Sequence, residues 1–157
     1  LQHCATSSVP VFASCFGFQL AVLALGGTIV RDAKDYEMGT PLISLTPAAA
    51  NDILFRNVPD QFPAVSVHME RATSIPEQCE LLALSPACPH AFKLKDKPFW
   101  AFQFHPEVDK ATLVERLTTY RERYTDNEGH LKEVLQSAIE TPHSNGLLRN
   151  FVAHLLS

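Results

Sequence analysis

The sequence predicts an α/β protein with a mixed sheet, and three observations predict it. A short apolar run at residues 9–13 leads into a Pro-free segment rich in Ala and Leu. The middle of the chain holds several short apolar runs separated by Gly, Pro and polar residues. Beyond residue 110 the apolar residues recur at spacings of three and four, which is a helical period.

The elements follow in order. Residues 1–5 read as the end of a helix, residues 6–8 as a loop and residues 9–13 as a buried strand. Residues 18–25 favour helix by composition, and Gly26-Gly27 supplies a C-cap. Residues 28–31 and 42–45 read as strands, with Gly39-Thr40-Pro41 as punctuation between them. Thr46-Pro47 before a run of alanines predicts an N-cap with Pro at the first helical position. Residues 64–68, 81–84 and 100–104 complete the strands. Three helical stripes follow: Leu113, Leu117, Tyr120 and Tyr124; Leu131, Val134, Leu135, Ala138 and Ile139; and Leu147, Leu148, Phe151, Val152 and Leu155. Residues 141–146 break them, with Ser144 or Asn145 available to cap the last helix.

Length and composition narrow the classes. A chain of 157 residues has room for one domain. With 46% hydrophobic and 19% charged residues it is of ordinary globular composition, not disordered. The net charge of −4, from 13 basic and 17 acidic residues, argues against a basic nucleic-acid surface. The apolar run at residues 20–25 is far too short to span a bilayer. Four cysteines do not make a disulfide scaffold. No Gly-rich phosphate loop ending in Lys-Ser/Thr is present. The chain opens at Leu1 on the last turn of a helix, with no basic-then-apolar leader before the first strand, so the expectation is a cytoplasmic protein with further residues ahead of Leu1.

The most informative segment is Phe12-Ala13-Ser14-Cys15-Phe16-Gly17-Phe18-Gln19. A cysteine between a buried strand and a helix sits on a sharp turn that lifts the sulfur out of the sheet. The helix N-terminus favours the thiolate, and the N–H of the following residue, Phe16, can meet a developing oxyanion. Small residues let strand and helix approach, and Ala13, Ser14 and Gly17 fit that need. Taken alone, Cys15 is open between a nucleophile and a buried structural cysteine; Cys4, Cys79 and Cys88 read as structural. The second segment is Phe102-Gln103-Phe104-His105-Pro106-Glu107. Its strand delivers His105 to a turn rigidified by Pro106, and Glu107 is close enough to turn back on the imidazole. A thiol needs a base, and the base needs an acceptor that fixes its tautomer. An exposed turn remains the alternative for His-Pro-Glu by itself.

Together the two segments resemble the class I (triad) glutamine amidotransferases, over residues 9–108. The resemblance implies a flavodoxin-like α/β fold, with Cys15 as nucleophile, His105 as general acid/base and Glu107 as its orienting partner. It implies that Gln19 binds glutamine beside Gly17, and that the stretch Ser66-Val67-His68-Met69-Glu70 holds the substrate's amino-acid moiety, with Val67 and His68 at the pocket. Glu37-Met38-Gly39 matches a Glu-x-Gly of the same group. The nearest resemblance is to stand-alone proteins similar to the amidotransferase domain of GMP synthase, whose helical tail residues 110–157 also fit. Residues 1–157 then form a single, incomplete amidotransferase domain, with roughly 80–90 residues absent from a domain of about 240; the alternative is a paralogue that lost the oxyanion loop. Ala13 departs from the family's usual Gly, Met69 from Gly and Glu70 from Asp.

The resemblance implies hydrolysis of the glutamine side-chain amide through a γ-glutamyl thioester on Cys15. L-Glutamine is the implied substrate, no metal or organic cofactor is needed, and ammonia would pass to a synthase partner, with neither nucleic acid nor membrane involved. Two other readings stay open: a γ-glutamyl amide or peptide hydrolase using the same triad, and a non-catalytic interaction module. Cys79, Cys88 and His90 match no tight zinc spacing and read as loop residues. His68 is open between pocket lining and an ordinary strand end. His3, His130, His143 and His154 read as ordinary, and the charges from Glu115 to Arg123 as a solvated helix face.

Overall fold

The computed structural model describes residues 1–31, 36–120 and 128–157. Helix α1 (Gln2–Ser7) precedes β1 (Val11–Ser14), α2 (Phe16–Ala24), β2 (Ile29–Arg31), β3 (Glu37–Gly39) and β4 (Leu42–Leu45). A 3-10 turn (Pro47–Asn51) leads to β5 (Gln61–Pro63), β6 (Ser66–His68), β7 (Glu70–Ala72), β8 (Cys79–Leu84), β9 (Pro89–Leu94) and β10 (Phe99–Phe102). The helices described after it are α3 (Lys110–Thr119), α4 (Glu128–Ser137) and α5 (Pro142–Leu156).

The main sheet has the order β1-β10-β9-β8-β4-β5. Among the described residues only β1 and β10 run parallel; the other pairs are antiparallel, so the sheet is mixed as expected. Two antiparallel ribbons, β2–β7 and β3–β6, stand beside it. Strand β10 is buried along its whole length, which is why it reads as an unbroken apolar run. Its residues alternate between two cores. Phe99 and Ala101 pack with Phe18, Ala21 and Val22 of α2. Trp100 and Phe102 pack with Leu54, Phe55 and, from α5, Leu147 and Phe151. The Trp100 indole N–H donates to the buried Asp52 carboxylate at 2.9 Å. A third core joins Leu113 and Leu117 of α3 and Leu131 and Val134 of α4 to Val65 and Val108.

Several expectations are corrected. Strands β3, β5, β7 and β9 were not anticipated. They are short or carry polar and Pro residues, so periodicity alone does not flag them. The first strand ends at Ser14, not Ala13. Thr46 is the N-cap with Pro at the start, as expected, but residues 47–51 form a 3-10 turn and the Thr46 side chain makes no cap bond. The break before the last helix ends at Thr141; Ser144 and Asn145 lie inside α5 and do not cap it. Cys79 and His90 are strand residues, not loop residues. The helical stripes are narrower than predicted, since Tyr120, Ile139, Leu148, Val152 and Leu155 are exposed. Tyr124 lies outside the described residues. No described helix is long and apolar enough to cross a membrane.

Candidate active site

Parallel pairing brings the two sequence segments together. Ser14 lies opposite Phe102, so Cys15 and the 103–107 segment leave the sheet at the same end. The Cys15 N–H donates to the Phe102 carbonyl at 2.7 Å. Cys15 has φ 45° and ψ −99°, a backbone conformation that costs a non-glycine residue energy and projects its side chain from the turn. It stands at the N-cap of α2, where the helix dipole favours negative charge. Gly17 answers a packing need: a Cβ there would lie 3.2 Å from the Cβ of Ala13. The Ala13 methyl occupies the space between strand and helix.

Past β10 the chain turns under the ribbon, with the His105 N–H donating to Val65 O at 2.7 Å. His105 Nδ1 lies 2.7 Å from Glu107 Oε1. With Nδ1–H donated to the carboxylate, Nε2 is left for the thiol, the arrangement a general base requires. Burial opposes the charged imidazole, but hydrogen bonding and charge attraction from Cys15 and Glu107 outweigh it and push the His105 pKa up to about 9. Burial would raise the Glu107 pKa, yet the bonds from His105 and Ser14 hold it below the ordinary value. Helix α5 fixes the turn: the Asn145 amide donates to Pro106 O at 3.0 Å and Val108 O at 2.9 Å.

The Cys15 thiol is 3.9 Å from Val67 O, and the Gln103 amide approaches the sulfur at 3.9 Å. A cavity of about 180 Å³ opens over them, lined among others by Cys15, Val67, His105 and Arg116. Gln103 and Arg116 were not singled out from sequence. Gln103 is a buried polar residue just past the aromatic-rich strand β10, a usable signal; Arg116 reads as one more charge on a solvated helix. Phe16 is exposed at the first turn of α2. Gln19 does not line this cavity; its amide donates to Glu70 O at 3.0 Å, tying α2 to β7.

His68 does not line the cavity either. It is buried, its Nδ1 is 3.1 Å from Glu70 O, and its Nε2 is 3.0 Å from Glu37 Oε2. The same Glu37 oxygen lies 2.6 Å from His90 Nε2 and 3.8 Å from Cys88 Sγ. Burial would raise the Glu37 pKa, but hydrogen bonds from His68 and His90, the charge of His90 and Ser85 together hold it well below the usual carboxylate range. Cys79 is not part of this cluster. No sequence spacing reveals the cluster, because three separate strands supply it.

A strained cysteine at a strand–helix turn, a histidine three residues beyond the adjacent parallel strand and a carboxylate on that histidine thus lie together at one end of an α/β sheet. The chain belongs to the class-I glutamine amidotransferase family, whose family model matches residues 1–119. Within the family it is similar to one subunit of the glutamine-hydrolyzing GMP synthase of Methanococcus vannielii, 40% identical over 104 residues, covering 65% of this chain and 52% of that protein. The corresponding protein of Methanocaldococcus jannaschii is 38% identical over 104 residues, covering 65% and 53%. In fold, the chain matches the crystal structure of a glutamine amidotransferase from Thermotoga maritima with a TM-score of 0.82 at 21% identity, covering 99% of this chain and 66% of that one. The chain thus spans about half the length of the curated relatives it matches.

Proposed function

We propose that this chain carries out the glutamine-hydrolysing half-reaction of an amidotransferase. The observation that supports this most directly is the Cys15–His105–Glu107 arrangement at the mouth of the cavity. In this reading His105 Nε2 takes the thiol proton and Cys15 sulfur attacks the side-chain amide carbon of L-glutamine. The Phe16 N–H, unpaired by the helix at its first turn, supports the oxyanion. His105 returns the proton to the leaving nitrogen; the C–N bond breaks and ammonia departs. Water, losing a proton to His105, then cleaves the γ-glutamyl thioester to glutamate and restores the thiol. Glu107 holds the imidazole in the tautomer both steps need.

Arg116, at the cavity rim, offers a cation for the substrate's α-carboxylate. Ammonia would pass to a partner synthase, and the likeness to the GMP synthase subunits supports that reading. The test is ammonia release from glutamine, with γ-glutamyl amines assayed in parallel, together with mass-tagging of Cys15 by a glutamine-like electrophile. Cys15→Ala is expected to lower turnover by at least about a thousandfold. An active Cys15→Ala variant would sink the assignment.

A further inference from the structure

The ligand-type atoms of Glu37, His68, Cys88 and His90 all lie within 4.8 Å of one another. They come from β3, β6, β9 and, for Cys88, the residue just ahead of β9, and Glu37 and His68 are direct cross-strand partners. His68, Cys88 and His90 are buried and Glu37 nearly so. We propose that these four side chains form a tetrahedral site for a zinc-type divalent cation, which staples the β3–β6 ribbon to the main sheet.

Three features carry this. The donor set, two imidazoles, one thiolate and one carboxylate, suits Zn²⁺. Bonds of 2.0–2.3 Å in a tetrahedron put donor atoms about 3.3–3.8 Å apart, and the observed spread lies within about 1 Å of that range. The donors are also oriented from behind. His68 Nδ1 faces the Glu70 carbonyl, which can only accept, so Nδ1 carries a proton. That leaves Nε2, 3.0 Å from the Glu37 oxygen, as the nitrogen that faces the other three donors. An imidazole held by a backbone carbonyl is the usual outer support of a metal-ligating histidine. Ser85 braces the third donor, its hydroxyl accepting the N–H groups of Ala87 at 3.1 Å and Cys88 at 3.3 Å. On binding, the thiol proton of Cys88 is released to solvent and four coordinate bonds replace the hydrogen bonds to Glu37.

The position gives the site a consequence. His68 adjoins Val67, whose carbonyl faces the Cys15 thiol and which lines the cavity. A cation here would fix the backbone on which that wall depends.

The experiment uses the whole chain carrying Cys15→Ala, which removes the other cysteine–histidine pair as a competing metal site. After chelator treatment the protein is titrated with Co²⁺ and followed by absorption, then competed with Zn²⁺. One equivalent is expected, with the intense visible bands of a tetrahedral ion and a thiolate-to-cobalt charge-transfer band. Cys88→Ser is expected to abolish the charge-transfer band, and Cys88→Ser and His90→Gln each to weaken binding at least tenfold. Substoichiometric binding, a weak octahedral spectrum, or binding unchanged by Cys88→Ser and His90→Gln overturns the proposal. Should those variants fail to fold, the chain with native Cys88 and His90 decides: added Zn²⁺ is expected to raise its melting temperature, and no shift overturns the site.

Discussion

This chain assembles the same side-chain types twice, with opposite results. Cys15, His105 and Glu107 gather at the open end of the parallel pair β1–β10. Glu37, His68, Cys88 and His90 gather under the β3–β6 ribbon. In the first cluster the pKa of His105 is pushed up to about 9 despite burial, because the thiol and the carboxylate favour its charged form. In the second, burial outweighs the pull of Glu37 and holds the His90 pKa below its ordinary value. Burial, reinforced by Glu37, pushes the Cys88 thiol up to about 12. Chemical identity is therefore a poor guide to reactivity. The strained turn, the helix end and the cavity favour ionic chemistry at Cys15, whereas enclosure makes Cys88 a weak nucleophile.

The sharpest way to break this contrast is alkylation. At neutral pH Cys88 should carry about a thousandth of the thiolate of an ordinary cysteine. Peptide-resolved iodoacetamide labelling should therefore leave Cys88 unmodified long after Cys15 has reacted; equal rates would erase the distinction.

The same substitution at the two carboxylates should separate stability from activity. Glu37→Gln strips two buried imidazoles of their shared anion and is expected to cost about 3 kcal/mol in urea unfolding. Glu107 is 39% exposed, so Glu107→Gln should cost under about 1 kcal/mol. Its turnover should nonetheless fall by about a hundredfold or more through loss of the His105 tautomer.

A pH series sharpens the comparison further. The raised pKa of His105 means that its contribution to stability is fully present below 6.5 and lost as pH rises through about 9. The urea midpoint should fall across that interval, and His105→Gln should flatten the fall. The smallest expected effect on turnover is that of Asn145→Ala, which removes both bonds from α5 to the turn that carries His105. A loss of about 1–2 kcal/mol and a several-fold drop in turnover are expected. An unchanged turnover would show that the turn keeps its geometry without α5.

Much of the first cluster was legible because it is local. Ala13-Ser14-Cys15-Phe16-Gly17 writes the strand–helix turn into consecutive residues, and His105-Pro106-Glu107 spans a single turn. Gln103 and Arg116 were less legible, since neither neighbour in sequence marks a contact made across the sheet or from α3. Strands such as Glu37–Gly39 and Glu70–Ala72 escaped notice because three residues carry no measurable period.

The sequence by itself determined the alternation of strands and helices, the sharp turn at Cys15 and the pairing of His105 with Glu107, because backbone preference and short-range spacing set those features. Only the tertiary structure decided that β1 lies parallel to β10, that Gln19 reaches β7 instead of the cavity, and that Glu37, His68, Cys88 and His90 meet. These depend on strand order and register, which follow from burying both faces of the sheet at once and cannot be read from any one segment.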